Sequence, residues 1–164
     1  MDPLKVGSPA PVFALPASND TRISLLDYSG KKYVVLYFYP KDMTPGCTQE
    51  AVSFRDLQNE FDLAGAVIIG VSTDDAASHS RFALQYNLSF PLLSDSDGKI
   101  AAKYGVLNQP GSADASPRAR RTTFVIDKAG TIVKTYMNVK VECHADEILA
   151  FLHGVSLNHS AEQK

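Results

Sequence analysis

Two uninterrupted apolar runs, residues 33–39 (YVVLYFY) and 66–72 (AVIIGVS), limit what this chain can fold into more than any other feature. A strand with one wet face alternates apolar and polar residues, so continuous runs of this length belong to strands covered on both faces. Between them, Ala51, Phe54, Leu57 and Phe61 recur at spacings of three and four, which predicts a helix over residues 48–63 closed by Gly65. A second helix is expected over 74–87, with Phe82, Leu84 and Tyr86 among its apolar positions, then a short peripheral strand over 90–93 and a helical turn over 100–104. Residues 122–126 and 131–136 flank Asp127-Lys128-Ala129-Gly130, a strong hairpin signal. A last short helix is expected over 146–153. Near the start, β-like runs at 12–15 and 22–26 surround the turn-forming Ser18-Asn19-Asp20 and predict an N-terminal β-hairpin. Residues 107–119, rich in Pro, Gly, Ser and Ala, read as a long surface loop. This order predicts an α/β fold with a mixed central sheet flanked by helices.

At 164 residues the chain reads as one domain, 1–164, with its core at about 9–153 and a polar tail over 154–164. The formal net charge of -2, without long runs of one sign, points to neither nucleic acid nor an anionic membrane surface. The one basic cluster, Arg118, Arg120 and Arg121, is too small for a nucleic-acid footprint, and Arg118 and Arg120 are expected to stay solvated. No stretch approaches the roughly 20 apolar residues of a membrane span, and the N-terminus has no secretory pattern. A cytoplasmic, reducing location is the expectation. Two cysteines, Cys47 and Cys143, are too few for a disulfide scaffold and wrongly spaced for C-x-x-C chemistry.

Cys47 falls in the first turn of the helix that follows the first buried strand. Unpaired backbone N–H groups and the positive end of the helix dipole favour a thiolate there. Cys47, Ala51 and Phe54 share one face, so the sulfur should point into the protein. A cysteine at a helix start is as often a small packing residue as a nucleophile, and its neighbours decide between the two. Pro40 ends the strand, Thr44 places a hydroxyl three residues before the sulfur, and Pro45-Gly46 makes a tight entry to the helix.

The pattern Pro40-x-x-x-Thr44-x-x-Cys47 matches P-x-x-x-T/S-x-x-C, the active-site motif of peroxiredoxins. The strings YFYPKDMTPGCT, FRDLQNEF, VIIGVSTDD, SFPLLSDSDGKIAAKYGV and RTTFVIDKAGTIV resemble the bacterioferritin comigratory protein (peroxiredoxin Q) subfamily, in family order from about residue 9 to 152. The resemblance implies a thioredoxin-like fold and reduction of hydrogen peroxide or organic hydroperoxides through a Cys47 sulfenic acid, without metal or cofactor. It implies that Pro40 shields the sulfenate, that the Thr44 hydroxyl hydrogen-bonds the thiolate and the peroxide, and that Arg121 lies beside the sulfur. Glu50 resembles the acidic residue that orients this arginine, although an exposed helix carboxylate is nearly as good a reading. Thioredoxin, or glutaredoxin with glutathione, is the implied class of reductant, acting on a monomer or homodimer in antioxidant defence.

One departure affects the second half of the cycle. The subfamily's resolving cysteine, five residues after the first, is Val52 here, and the alternative position in the next helix holds none, since residues 80–85 read SRFALQ. The expectation is a one-cysteine enzyme resolved by an external thiol. Cys143 reads as an incidental thiol in preference to a resolving one. His79, His144, His153 and His159 are read as solvated or locally bonded and are given no role. Asp74-Asp75 and Asp95-x-Asp97 read as caps and turns. The same Cys47 chemistry also suits a peroxide sensor that passes oxidation to a partner by mixed disulfide.

Overall fold

The computed structural model describes residues 2–18, 21–108, 117–137 and 139–162, with side chains described up to residue 155. Asn19 and Asp20 of the expected first turn, most of the 107–119 loop and the side chain of His159 therefore lie outside the described residues. The chain forms β1 (Ala14–Pro16) and β2 (Arg22–Ser24), a 3-10 turn (Leu25–Tyr28), β3 (Tyr33–Phe38), α1 (Pro45–Asp56), α2 (Gln58–Leu63) and β4 (Ala66–Ser72). It continues through α3 (Ala76–Tyr86), β5 (Leu92–Ser94), α4 (Lys99–Lys103), β6 (Thr122–Ile126), β7 (Ile132–Met137) and α5 (His144–Glu162).

The sheet order is β5-β4-β3-β6-β7. β3, β4 and β5 run parallel, while β6 is antiparallel to β3 and β7 to β6. The two continuous apolar runs are thus the sheet's interior. β3 sends Val34, Leu36 and Phe38 to one face, against the N-terminal hairpin and α4, and Val35 and Tyr37 to the other, against α1, α3 and α5. The mixed sheet, its flanking helices and the hairpin β1–β2 are as expected.

Three expectations need correction. The helix over 48–63 starts earlier, at Pro45, and breaks at Leu57 into α1 and α2, because Leu57 leaves helical geometry with ψ of 11°. Leu84 is 86% exposed; the buried face of α3 is His79 and Phe82, three residues apart, with Asn87 ending the helix in the left-handed conformation. The last helix begins at His144 and runs through the expected polar tail to Glu162. Among the described residues, no helix is long and apolar enough to cross a membrane.

Candidate active site

β3 ends at the same sheet edge at which β6 begins, since Phe38 pairs with Thr122. The chain leaving β3 through Pro40 and the residue entering β6, Arg121, are therefore delivered side by side. This is the carboxyl end of the parallel strands, where open α/β sheets place their ligands.

The loop after β3 turns tightly. Thr44 is the extended N-cap of α1 and Pro45 occupies its first turn, where a missing N–H costs nothing. Cys47 then takes the third helical position, with its side chain 2% exposed. The buried face of α1 is Cys47, Glu50, Ala51 and Phe54, so the sulfur points inward as the spacing predicts.

Arg121 bridges two groups on that face. Its Nη2 donates to Cys47 Sγ at 3.2 Å and its Nη1 donates to Glu50 Oε1 at 2.7 Å. Glu50 is 1% exposed, which excludes the exposed-carboxylate reading. Burial pushes its carboxyl up to about 7, against the opposing pull of the Arg121 charge and hydrogen bond. Burial disfavours the charged form of Arg121, yet Glu50 and Cys47 together hold the guanidinium more firmly protonated. Gly46 makes this approach possible, because a Cβ there would sit 3.2 Å from Arg121 Nη2.

Cys47, Glu50 and Arg121 are thus joined directly, with Pro40 and Thr44 on the loop that leads into α1. Thr44 differs in detail from expectation. Its hydroxyl donates to the Lys41 carbonyl at 2.8 Å, so that donor closes the loop, leaving the oxygen's lone pairs to accept. Cys143 is a free, exposed thiol at the start of α5, its carbonyl accepting from Glu147 N–H. It lines a separate cleft of about 660 Å³ with Lys134, Lys140 and His144.

Sequence reasoning missed a polar cluster behind the loop. His79, read as solvated or locally bonded and given no role, is fully buried against Asp42 and Tyr39. Its spacing with Phe82 was the available signal: a polar residue on a helix's apolar face needs a buried partner. His144 is also buried, with Thr123 at 2.7 Å and Glu147 at 3.1 Å. Burial lowers its pKa, Glu147 opposing. Arg120, also read as solvated, donates to the Gly105 carbonyl. Asp75 does cap α3, accepting from Ser78 N–H, and Asp95 accepts from the N–H groups of Ile100 and Ala101.

Residues 6–135 match the AhpC/TSA family. A putative peroxiredoxin bcp of Coxiella burnetii is 43% identical over 150 residues, covering 91% of this chain and 99% of that protein. The crystal structure of peroxidoxin BcpB from Mycobacterium tuberculosis is 38% identical with a TM-score of 0.86, covering 93% of this chain and 98% of that one. A structure of the Xanthomonas campestris bacterioferritin comigratory protein, 38% identical, has a TM-score of 0.80, covering 87% of this chain and 90% of that one. The chain belongs to the AhpC/TSA family and is a thiol-dependent peroxidase of its bacterioferritin comigratory protein, or peroxiredoxin Q, branch.

Proposed function

We propose that Cys47 is the peroxidatic thiol and that the enzyme works by a one-cysteine cycle, reducing hydrogen peroxide and organic hydroperoxides at the expense of an external thiol. The observation that carries this reading is the guanidinium shared between Cys47 Sγ and Glu50. The thiolate attacks one peroxide oxygen in line with the O–O bond; the S–O bond forms as O–O breaks, and the other oxygen leaves as alkoxide or hydroxide and takes up a proton. Sulfur is oxidised by two electrons to sulfenic acid and the peroxide is reduced by two. Negative charge moves from sulfur to the leaving oxygen, and Arg121 is a fixed donor beside both. In this reading Pro40 serves to shield the oxidised sulfur, and Thr44, whose hydrogen is given to Lys41 O, offers its lone pairs to the peroxide's O–H. Alkyl hydroperoxides enter this reading because the related Xanthomonas campestris protein was studied for its alkyl peroxide reduction activity.

Val52 and Ala83 stand in α1 and α3 where an internal resolving thiol would be needed. The sulfenic acid therefore condenses with an external thiol, releasing water and forming a mixed disulfide, and a second thiol frees Cys47. Thioredoxin, or glutaredoxin with glutathione, is the class of donor, and the cytoplasm is the proposed setting. The test is turnover of wild type, Cys47→Ser and Cys143→Ser with thioredoxin, glutaredoxin plus glutathione, or dithiothreitol. Cys47→Ser is expected to lose peroxide consumption and Cys143→Ser to keep most of it with at least one donor. Wild-type turnover in Cys47→Ser would overturn the nucleophile, and a Cys47–Cys143 disulfide after one equivalent of peroxide would overturn the one-cysteine cycle.

A further inference from the structure

The loop that carries Pro40 and Thr44 is held from behind by buried groups that this chemistry does not use. Asp42, midway between them, has a side chain only 1% exposed, and its backbone N–H and both carboxylate oxygens are engaged. Its backbone N–H donates to Asp74 Oδ2 at 2.8 Å. Its Oδ1 accepts from the Tyr39 hydroxyl at 2.6 Å, and its Oδ2 accepts from the Ser78 hydroxyl at 2.8 Å. His79 Nδ1 lies 2.7 Å from the same Oδ2.

The other side of the imidazole fixes how the pair is protonated. His79 Nε2 is 2.9 Å from the Leu93 carbonyl of β5, and a carbonyl oxygen only accepts, so Nε2 carries a hydrogen. The contact between Nδ1 and Oδ2 then holds one more proton between them. Without it, two lone pairs would face each other at hydrogen-bond distance in a fully buried site. The pair thus ties three elements together: the loop, α3 and β5.

The loop needs such a hold. Met43 sits at φ of 66°, a left-handed conformation that a non-glycine residue keeps only when its surroundings impose it. Its own side chain is 40% exposed, so the constraint comes from the residues on either side. Asp42 is pinned by the cluster, and Thr44 is closed onto Lys41 O.

We propose that Asp42 and His79 are a positioning pair for peroxide reduction, keeping the Pro40–Thr44 loop in the shape that seats the peroxide against Cys47 without touching the reacting atoms. The inference rests on Cys47 being the attacking thiol. The two halves of the cycle respond differently to it. Seating a small peroxide depends on the loop's shape, whereas attack of a thiol on the finished sulfenic acid needs access to the sulfur.

The test is single-turnover oxidation of Cys47 by hydrogen peroxide, followed by quenching and mass spectrometry, beside re-reduction of the sulfenic acid by dithiothreitol. His79→Gln keeps an amide that reaches the Leu93 carbonyl but removes the group facing Asp42, whereas His79→Asn restores a donor to Asp42. His79→Gln is expected to slow oxidation about 10- to 100-fold, the scale of a misplacement near 1 Å, and to leave re-reduction unslowed, while His79→Asn recovers much of the loss. Tyr39→Phe removes one bond to Asp42 with almost no change of volume and is expected to slow oxidation about threefold or more, which keeps the test open where His79→Gln does not fold. Oxidation within about twofold of wild type in folded His79→Gln, or in Tyr39→Phe where that variant does not fold, overturns the pair, as does equal slowing of both half-reactions. Peroxide consumption by Cys47→Ser would instead overturn the underlying reading, so the two failures are distinct.

Discussion

Glu50→Gln separates what the buried carboxylate does for catalysis from what it costs in stability. The folded carboxyl sits at about 7 against an ordinary value of 4.5, chiefly because burial opposes its charge. A shift of this size, at about 1.4 kcal/mol per pKa unit, corresponds to about 3 kcal/mol. A raised folded pKa means that the folded protein binds the proton more tightly than the unfolded chain does. The associated stability is fully present below pH 4.5 and is lost as pH rises through about 7. Glutamine cannot ionise, so the variant escapes that loss. Its carbonyl can still accept from Arg121 Nη1, but its amide hydrogens enter the place of Oε2, which has no partner among the described residues. The new donors offset part of the gain.

The expected result is a stability difference, glutamine minus glutamate, that grows by up to about 3 kcal/mol between pH 4.5 and 8. With no tryptophan in the chain, urea unfolding followed by far-ultraviolet circular dichroism is the suitable assay. Peroxide oxidation at pH 8 should move the opposite way. Arg121 loses its counter-charge while keeping its donors, so the loss should stay below the 10²–10³ typical of deleting a donor outright. A stability difference flat with pH to within about 0.5 kcal/mol would refute the assignment of a buried, titrating Glu50.

Arg121→Lys replaces a fork that reaches both partners, at 3.2 and 2.7 Å, with a single ammonium. Single-turnover oxidation should fall by on the order of 10²-fold, with little change in dithiothreitol re-reduction. Gly46→Ala adds a Cβ 3.2 Å from Arg121 Nη2, so oxidation should slow while α1 gains up to about 1 kcal/mol of helix stability, read by urea unfolding. Phe54→Ala empties a fully buried position stacked on Tyr37 with ring centroids 4.7 Å apart, and should cost about 3–5 kcal/mol by the same assay.

The parts of the fold that could be read from the sequence are those in which one residue period dominates. β3 and β4 declare themselves because both faces are buried, and the β6–β7 hairpin because Asp127 accepts from the N–H groups of Ala129 and Thr131. The break at Leu57 left no such mark, because apolar spacing runs straight through it. The site divides along the same line. Cys47 and Thr44 are close in sequence, so a local motif captures them. The Asp42–His79 contact spans 37 positions and depends on α3 docking against the loop, which no local window contains. Leu84 shows the converse error, being apolar but on the solvent side of α3, where hydrophobicity alone says nothing about direction.

The burial that serves the first half of the cycle sets a condition on the second. A sulfur 2% exposed can meet a small peroxide through a narrow opening, but a thiol carried on a protein or a tripeptide needs in-line access to the sulfenic acid. In the proposed one-cysteine cycle neither Val52 nor Ala83 can do that work from within, so the first turn of α1 must open before the external thiol arrives. That turn has no side-chain cap, and its neighbour Met43 already occupies a left-handed conformation. Arg121 and the Asp42–His79 pair oppose the opening. Once Cys47 is a neutral sulfenic acid, the charge-assisted part of the Arg121 contact is gone. In the proposed cycle, oxidation thereby removes one of the restraints that kept the sulfur buried, and the guanidinium proposed to assist the thiolate's attack loosens its grip once the attack is complete.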